Sequence, residues 1–107
     1  MQPIYNQLTA LINLLNTLRN NCIDPVVQGQ IQAVLNPLLQ KELQLVNAQL
    51  DATTPAYTAA SNSLGQASTA AQNAINDINQ TAATINSVVK AAKVVDSALN
   101  AVVRLLK

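Results

Sequence analysis

The sequence predicts an all-α protein, an up-down helical bundle or hairpin of three helices whose last helix is long and carries a heptad pattern. Half of the 107 residues are hydrophobic, with two Tyr and no Phe or Trp. The apolar residues recur at intervals of three and four, as on one face of a helix, and no strand-like alternation occurs. Four prolines, each after a polar residue, mark the starts of helices or a kink. We expect one helical domain over residues 1–107.

The first helix is predicted over residues 3–20. Its apolar residues are spaced alternately four and three apart, which keeps them on one helix face. Two consecutive asparagines, Asn20 and Asn21, are suited to the turn that ends it. The stripe consists of Ile4, Leu8, Leu11, Leu15, Leu18 and Cys22.

The second helix is predicted over residues 25–51, with Asp24 as its N-cap and Pro25 at its first position. Pro37 lies inside this range and cannot donate a hydrogen bond to the carbonyl of Ala33, so we expect a kink or a break there. Two adjacent apolar lines give the helix the wide face of a central bundle helix. They are Val27, Ile31, Val34, Leu38 and Leu45, and Leu35, Leu39, Leu43, Val46 and Leu50.

The third helix is predicted over residues 55–106, after an N-cap at Thr54. At 1.5 Å per residue it would be about 80 Å long, which neither earlier helix could cover alone. It therefore either bends near Gly65 or is covered by another subunit. Its heptad seam predicts a long packed helix, as a supercoil or as an ordinary bundle helix. The seam comprises Tyr57, Leu64, Ala71, Ile78, Ile85, Ala92, Leu99 and Leu106, with Ala60, Ala67, Ala74, Thr81, Val88, Val95 and Val102 three residues after the first seven.

The residues that carry chemistry in enzymes are scarce in this chain. There is no histidine, which removes Ser-His and Cys-His nucleophiles and the commonest metal ligand. The acidic residues are scattered, and two glycines do not make a phosphate-binding loop. The lone cysteine, Cys22, is interpreted as a small apolar residue that ends the first stripe. We therefore expect no enzyme activity, no cofactor and no metal site.

Four of the six cations fall on one stripe of the last predicted helix turns: Lys90, Lys93, Arg104 and Lys107. Cations near a helix C-terminus complement the helix dipole, which accounts for the stripe without a ligand. Nucleic-acid binding would require more charge and stacking aromatic residues, so the pattern disfavours it. Contact with an anionic membrane surface is a minor alternative.

The N-terminal residues lack both the basic region and the cleavage site of a secretory signal. Polar residues interrupt every apolar stretch, which argues against a transmembrane helix. We expect a protein that is cytoplasmic or exported by a leaderless route.

Residues 58–87 contain a single charge, Asp77, among Ala, Asn, Gln, Ser and Thr. The whole chain is 10% charged, against about 25% in typical soluble domains. Small and uncharged polar side chains allow helices to approach and to hydrogen-bond across an interface. The composition is similar to that of bacterial secreted filament subunits, such as type III pilins and needle proteins, although no motif supports the comparison.

These features predict a non-enzymatic structural subunit that self-associates through its long low-charge C-terminal helix into a homo-oligomer, a filament or another large assembly. The apolar arc over residues 88–106 is about 180° wide, which suggests contacts from two directions. Two alternatives remain open: a helical module that binds an apolar or lipid ligand, and a binder of one dedicated protein partner. The predicted contact residues are Leu64, Ala71, Ile78, Ile85, Val94, Val95, Leu99, Val102 and Leu106.

Overall fold

The computed structural model describes residues 4–45, 54–77 and 82–104, and these residues are almost entirely helical. The all-α class predicted from the sequence is confirmed, with four helices in place of three. The part of the chain that the structure describes contains no β-strand. The helices are α1 (Ile4–Asn21), α2 (Pro25–Leu45), α3 (Pro55–Asn76) and α4 (Ala82–Arg104).

Helices α2 and α3 both begin at the proline where the sequence places them. Asp24 caps α2, because its Oδ1 accepts a hydrogen bond of 2.9 Å from the backbone N–H of Val26. Thr54 caps α3 with an extended backbone, and its Oγ1 accepts from the N–H of Tyr57 at 3.2 Å. In each case the cap satisfies a backbone donor that the first helical turn leaves free.

Helix α2 runs through Pro37 without a break. Proline has no N–H, so the carbonyl of Ala33 loses its helical donor, but Ala33 is exposed and water can hydrogen-bond that carbonyl. Val34 and Leu38, on either side of Pro37, are both buried. Core packing on both sides therefore holds the helix together, and Asn36 does not cap a separate piece. The predicted extension to residue 51 lies outside the described residues.

The single helix predicted over 55–106 is replaced by the two helices α3 and α4. At Asp77 the backbone leaves the helical region, with φ −85° and ψ 110°, and its N–H donates to the carbonyl of Ala74 at 3.2 Å. The longest dimension of the fold is 42 Å, so a helix of about 80 Å has no place in it. The bend expected near Gly65 is also absent, because Gly65 lies inside α3. Helices α3 and α4 instead bury their apolar faces against each other.

The four helices form two hairpins, α1–α2 and α3–α4, that lie side by side. Helix α1 contacts α2 and α3, and α4 contacts α3 and α2, while the two diagonal pairs do not touch within the described ranges. The Oγ1 of Thr9, early in α1, donates to Glu42, late in α2, so this pair is antiparallel. The N–H of Ile4 donates to the hydroxyl of Tyr57 at 3.1 Å, which joins the start of α1 to the start of α3. Helices α1 and α3 are therefore parallel, and so are α2 and α4.

The core between the hairpins is aliphatic and thin. Leucine and isoleucine dominate the buried faces of α1 and α2, whereas α3 contributes mainly alanine. Alanine lets neighbouring helices approach closely, and the fold is only 19 by 18 Å across its long axis. The buried residues of α3 are Tyr57, Ala60, Leu64, Ala67, Ala71 and Ala74.

Candidate contact surfaces

Most of the contact residues predicted from the sequence lie in the core of one chain. Six of them are at most 2% exposed and pack inside the bundle. Val94 is different, because it is 49% exposed on α4. Ile78 and Leu106 lie outside the described residues. The six buried residues are Leu64, Ala71, Ile85, Val95, Leu99 and Val102.

Within the described residues, exposed charge lies on α4 and in the turn before α2. Every exposed residue of α1, α2 and α3 is uncharged. Arg19 is the only charged residue in α1 or α3; it is half-buried and donates to Gln32 of α2. The exposed charged residues in the described ranges are Asp24, Lys90, Lys93 and Arg104.

One ion pair links the two hairpins. The Nζ of Lys41 on α2 lies 3.1 Å from Oδ1 of Asp96 on α4, with the side chains 11% and 30% exposed. Lysine is rarely buried unless it is paired. The pair therefore marks the sides of α2 and α4 that face each other.

Large apolar side chains are exposed at few places. Leu39 and Leu43 are 38% and 75% exposed and lie one turn apart on α2. Val94 lies on α4, while Ile23 and Val26 lie at the turn between α1 and α2. Leu39 and Leu43 are therefore the adjacent pair of large exposed apolar side chains on one described helix face.

Two open grooves follow the seams between the hairpins. The first has a volume of about 670 Å³ and is lined by Gln7 of α1 and by Ser61, Asn62, Gly65, Gln66 and Thr69 of α3. At its edge the hydroxyl of Ser61 donates to Oε1 of Gln7 at 3.0 Å. The second, of about 340 Å³, lies between α2 and α4. It is lined by Ala33, Val34, Pro37, Ala92, Lys93, Asp96 and Ser97.

Cys22 is a buried cysteine directly after the end of α1. Burial, and secondarily the negative charge of Asp24, raise the pKa of this thiol above its usual value. A thiol with a raised pKa is less ionised and therefore less reactive at neutral pH. Within the described ranges, no group of three Cys, Asp or Glu side chains is arranged to hold a metal ion.

None of the four helices, over the residues described, is both long and apolar enough to cross a membrane. Comparison of the chain with protein-family models, with curated proteins and with solved structures finds no match. The function is therefore argued from the chain's own residues.

The sequence did not indicate that Leu39 and Leu43 are exposed. Both belong to the second apolar line of α2, which the sequence assigns to a wide buried face. Helix α2 has only two neighbours in this bundle, and they cover the first line together with Leu35. The sequence feature that could have indicated this exposure is the width of the apolar face of α2, which exceeds what two neighbouring helices can bury.

Proposed function

We propose that this protein is a non-enzymatic structural subunit that associates with further copies of itself. The observation that carries the proposal is the absence of exposed charge on three of its four helices, α1, α2 and α3. A near-neutral chain with such a surface has little electrostatic repulsion between its copies, because its formal net charge is +1.

The exposed surface of these helices is suited to contact with a similar surface. Burying a charge at an interface is costly unless it is paired, whereas amides and hydroxyls can exchange water for partners at small cost. Leu39 and Leu43 add apolar area to this uncharged surface, and burying that area favours association.

Sedimentation velocity of the native chain over a wide concentration range tests the proposal. The chain mass is 11.3 kDa, and we expect species heavier than this whose share grows with concentration. Because apolar and uncharged polar side chains make up most of the proposed contacts, the distribution should change little between low and high salt. A single species of 11.3 kDa at every concentration would refute self-association.

A second candidate function is the binding of a small ligand in the groove between α2 and α4. The groove combines the apolar Val34 and Pro37 with the charged Lys93 and Asp96. Its volume of about 340 Å³ lies at the lower end of the range for ligand pockets. Native mass spectrometry of the purified chain tests this candidate, and a co-purified small molecule lost on Val34→Asp would support it.

A further inference from the structure

The two hairpins of one chain already show how hairpins of this protein pack. Helix α3 lies parallel to α1, and α4 lies parallel to α2, so the second hairpin repeats the placement of the first after a sideways shift. Each hairpin therefore has one side covered by the other hairpin and one side open. A further hairpin placed by the same shift would meet one of these open sides.

The ion pair between Lys41 and Asp96 shows which residues lie on the open sides. Side chains two residues apart on a helix point about 160° away from each other. Leu43 follows Lys41 by two residues, so it points away from α4. Val94 precedes Asp96 by two residues, so it points away from α2. The exposed Leu43 and Val94 thus lie on the two opposite open sides of the α2–α4 pair.

The two open sides differ in shape. The side of the first hairpin carries a ridge of two leucines, Leu39 and Leu43. On α4, the residues three to seven positions from Val94 include Ala91, Ala98 and Ala101, which leave a low surface around the valine. A ridge of leucines packs well against a surface of small side chains. Lys90 also lies on this side, one turn before Val94, and its flexible stem can carry the charge away from the contact.

We propose that a second copy of this chain stacks the open side of its first hairpin on the open side of the second hairpin, with Leu39 and Leu43 against Val94. This rests on the proposed self-association and specifies its geometry. The contact is heterologous, since different surfaces meet, and each copy keeps one free side for the next. A side of 42 by 19 Å has a plane area of about 800 Å², as a standard interface needs from each partner.

Two variants, each altered on one open side, test the geometry by sedimentation velocity and light scattering. Leu43→Lys and Val94→Lys should each be monomeric alone, because each adds a charge to one of the two meeting surfaces. An equimolar mixture should form a 1:1 dimer, because each variant keeps the side that the other lacks. Thr69→Lys is the matched control. Thr69 is exposed on α3, about 80° around the helix from Ser61, which contacts α1. Thr69 therefore does not point to the open side of the second hairpin, and a lysine in its place should leave association unchanged.

The outcomes separate the geometry from the proposed function. If the mixture stays monomeric, or if both variants associate like the native chain, the stacking is refuted while self-association can stand. If Thr69→Lys alone disperses the native oligomers, the copies meet through α1 and α3 instead. A native chain that is monomeric throughout refutes both proposals. Formation of the mixed dimer also shows that both variants fold.

Discussion

At the scale of single residues, the pair Lys41–Asp96 sets the orientation of α2 and α4. The lysine is almost buried, and its 3.1 Å contact with the carboxylate replaces the water that it loses. Each side chain would otherwise carry a charge into a partly apolar groove beside Val34 and Pro37. The pair therefore selects one alignment of the hairpins, because a shift of either helix would separate the charges.

Removing either Lys41 or Asp96 should show how much the ion pair contributes to the packing of the two hairpins. We expect Lys41→Ala to lower the free energy of unfolding by about 1–3 kcal/mol, because Asp96 then loses its charged partner. The double variant Lys41→Met with Asp96→Leu should recover most of the loss, since it leaves no charge to satisfy. Urea unfolding of the native chain, Lys41→Ala, Asp96→Ala and the double alanine variant measures the coupling. Strictly additive effects of the two alanine substitutions would show that the pair contributes nothing.

At the scale of the helices, periodicity predicted the buried faces but not the connection between them. Every described residue of the heptad seam over 57–102 is buried, including Leu64 and Leu99. The same seam would serve one long helix covered by another subunit or two helices that cover each other, and spacing cannot distinguish these cases. The reversal follows Asp77, the only charged residue of the stretch 58–87. Its Oδ2 accepts from the Oγ1 of Thr84 at 3.1 Å and links the end of α3 to the start of α4.

Pro37 gives a prediction at this scale. Pro37→Ala supplies an N–H to the carbonyl of Ala33, and alanine favours the helix interior by about 3 kcal/mol over proline. We expect a gain of about 1–2 kcal/mol in the free energy of unfolding, less than the full difference because water already reaches that carbonyl. Helical circular dichroism should change little, since α2 is continuous in the native chain. A large gain in helical ellipticity would instead indicate that α2 is interrupted in the native chain.

At the scale of the whole molecule, the uneven distribution of exposed charge is the feature that most favours contact with another copy. The cations Lys90, Lys93 and Arg104 are exposed on α4, while every exposed residue of α1, α2 and α3 is uncharged. The low fraction of charged residues, 10%, predicts a surface poor in charge, but only the fold shows that the exposed cations of the described residues all lie on α4. In the stacked arrangement Lys93 and Arg104 point about 80–100° away from Val94 and remain hydrated. Lys90 lies one turn before Val94, and its flexible stem can carry the charge to water.

Disulfide cross-linking between copies tests the stacking most directly. The native thiol is first removed by Cys22→Ala, and Leu43→Cys and Val94→Cys are then made in separate chains that differ in mass. A disulfide requires Cβ atoms within about 4.5 Å, so only surfaces that meet can form it. After mild oxidation of the mixture, we predict that chains carrying Leu43→Cys link mainly to chains carrying Val94→Cys. Random pairing, in which the mixed dimer is only twice as abundant as either homodimer, or no link at concentrations where the native chain associates, would contradict the account.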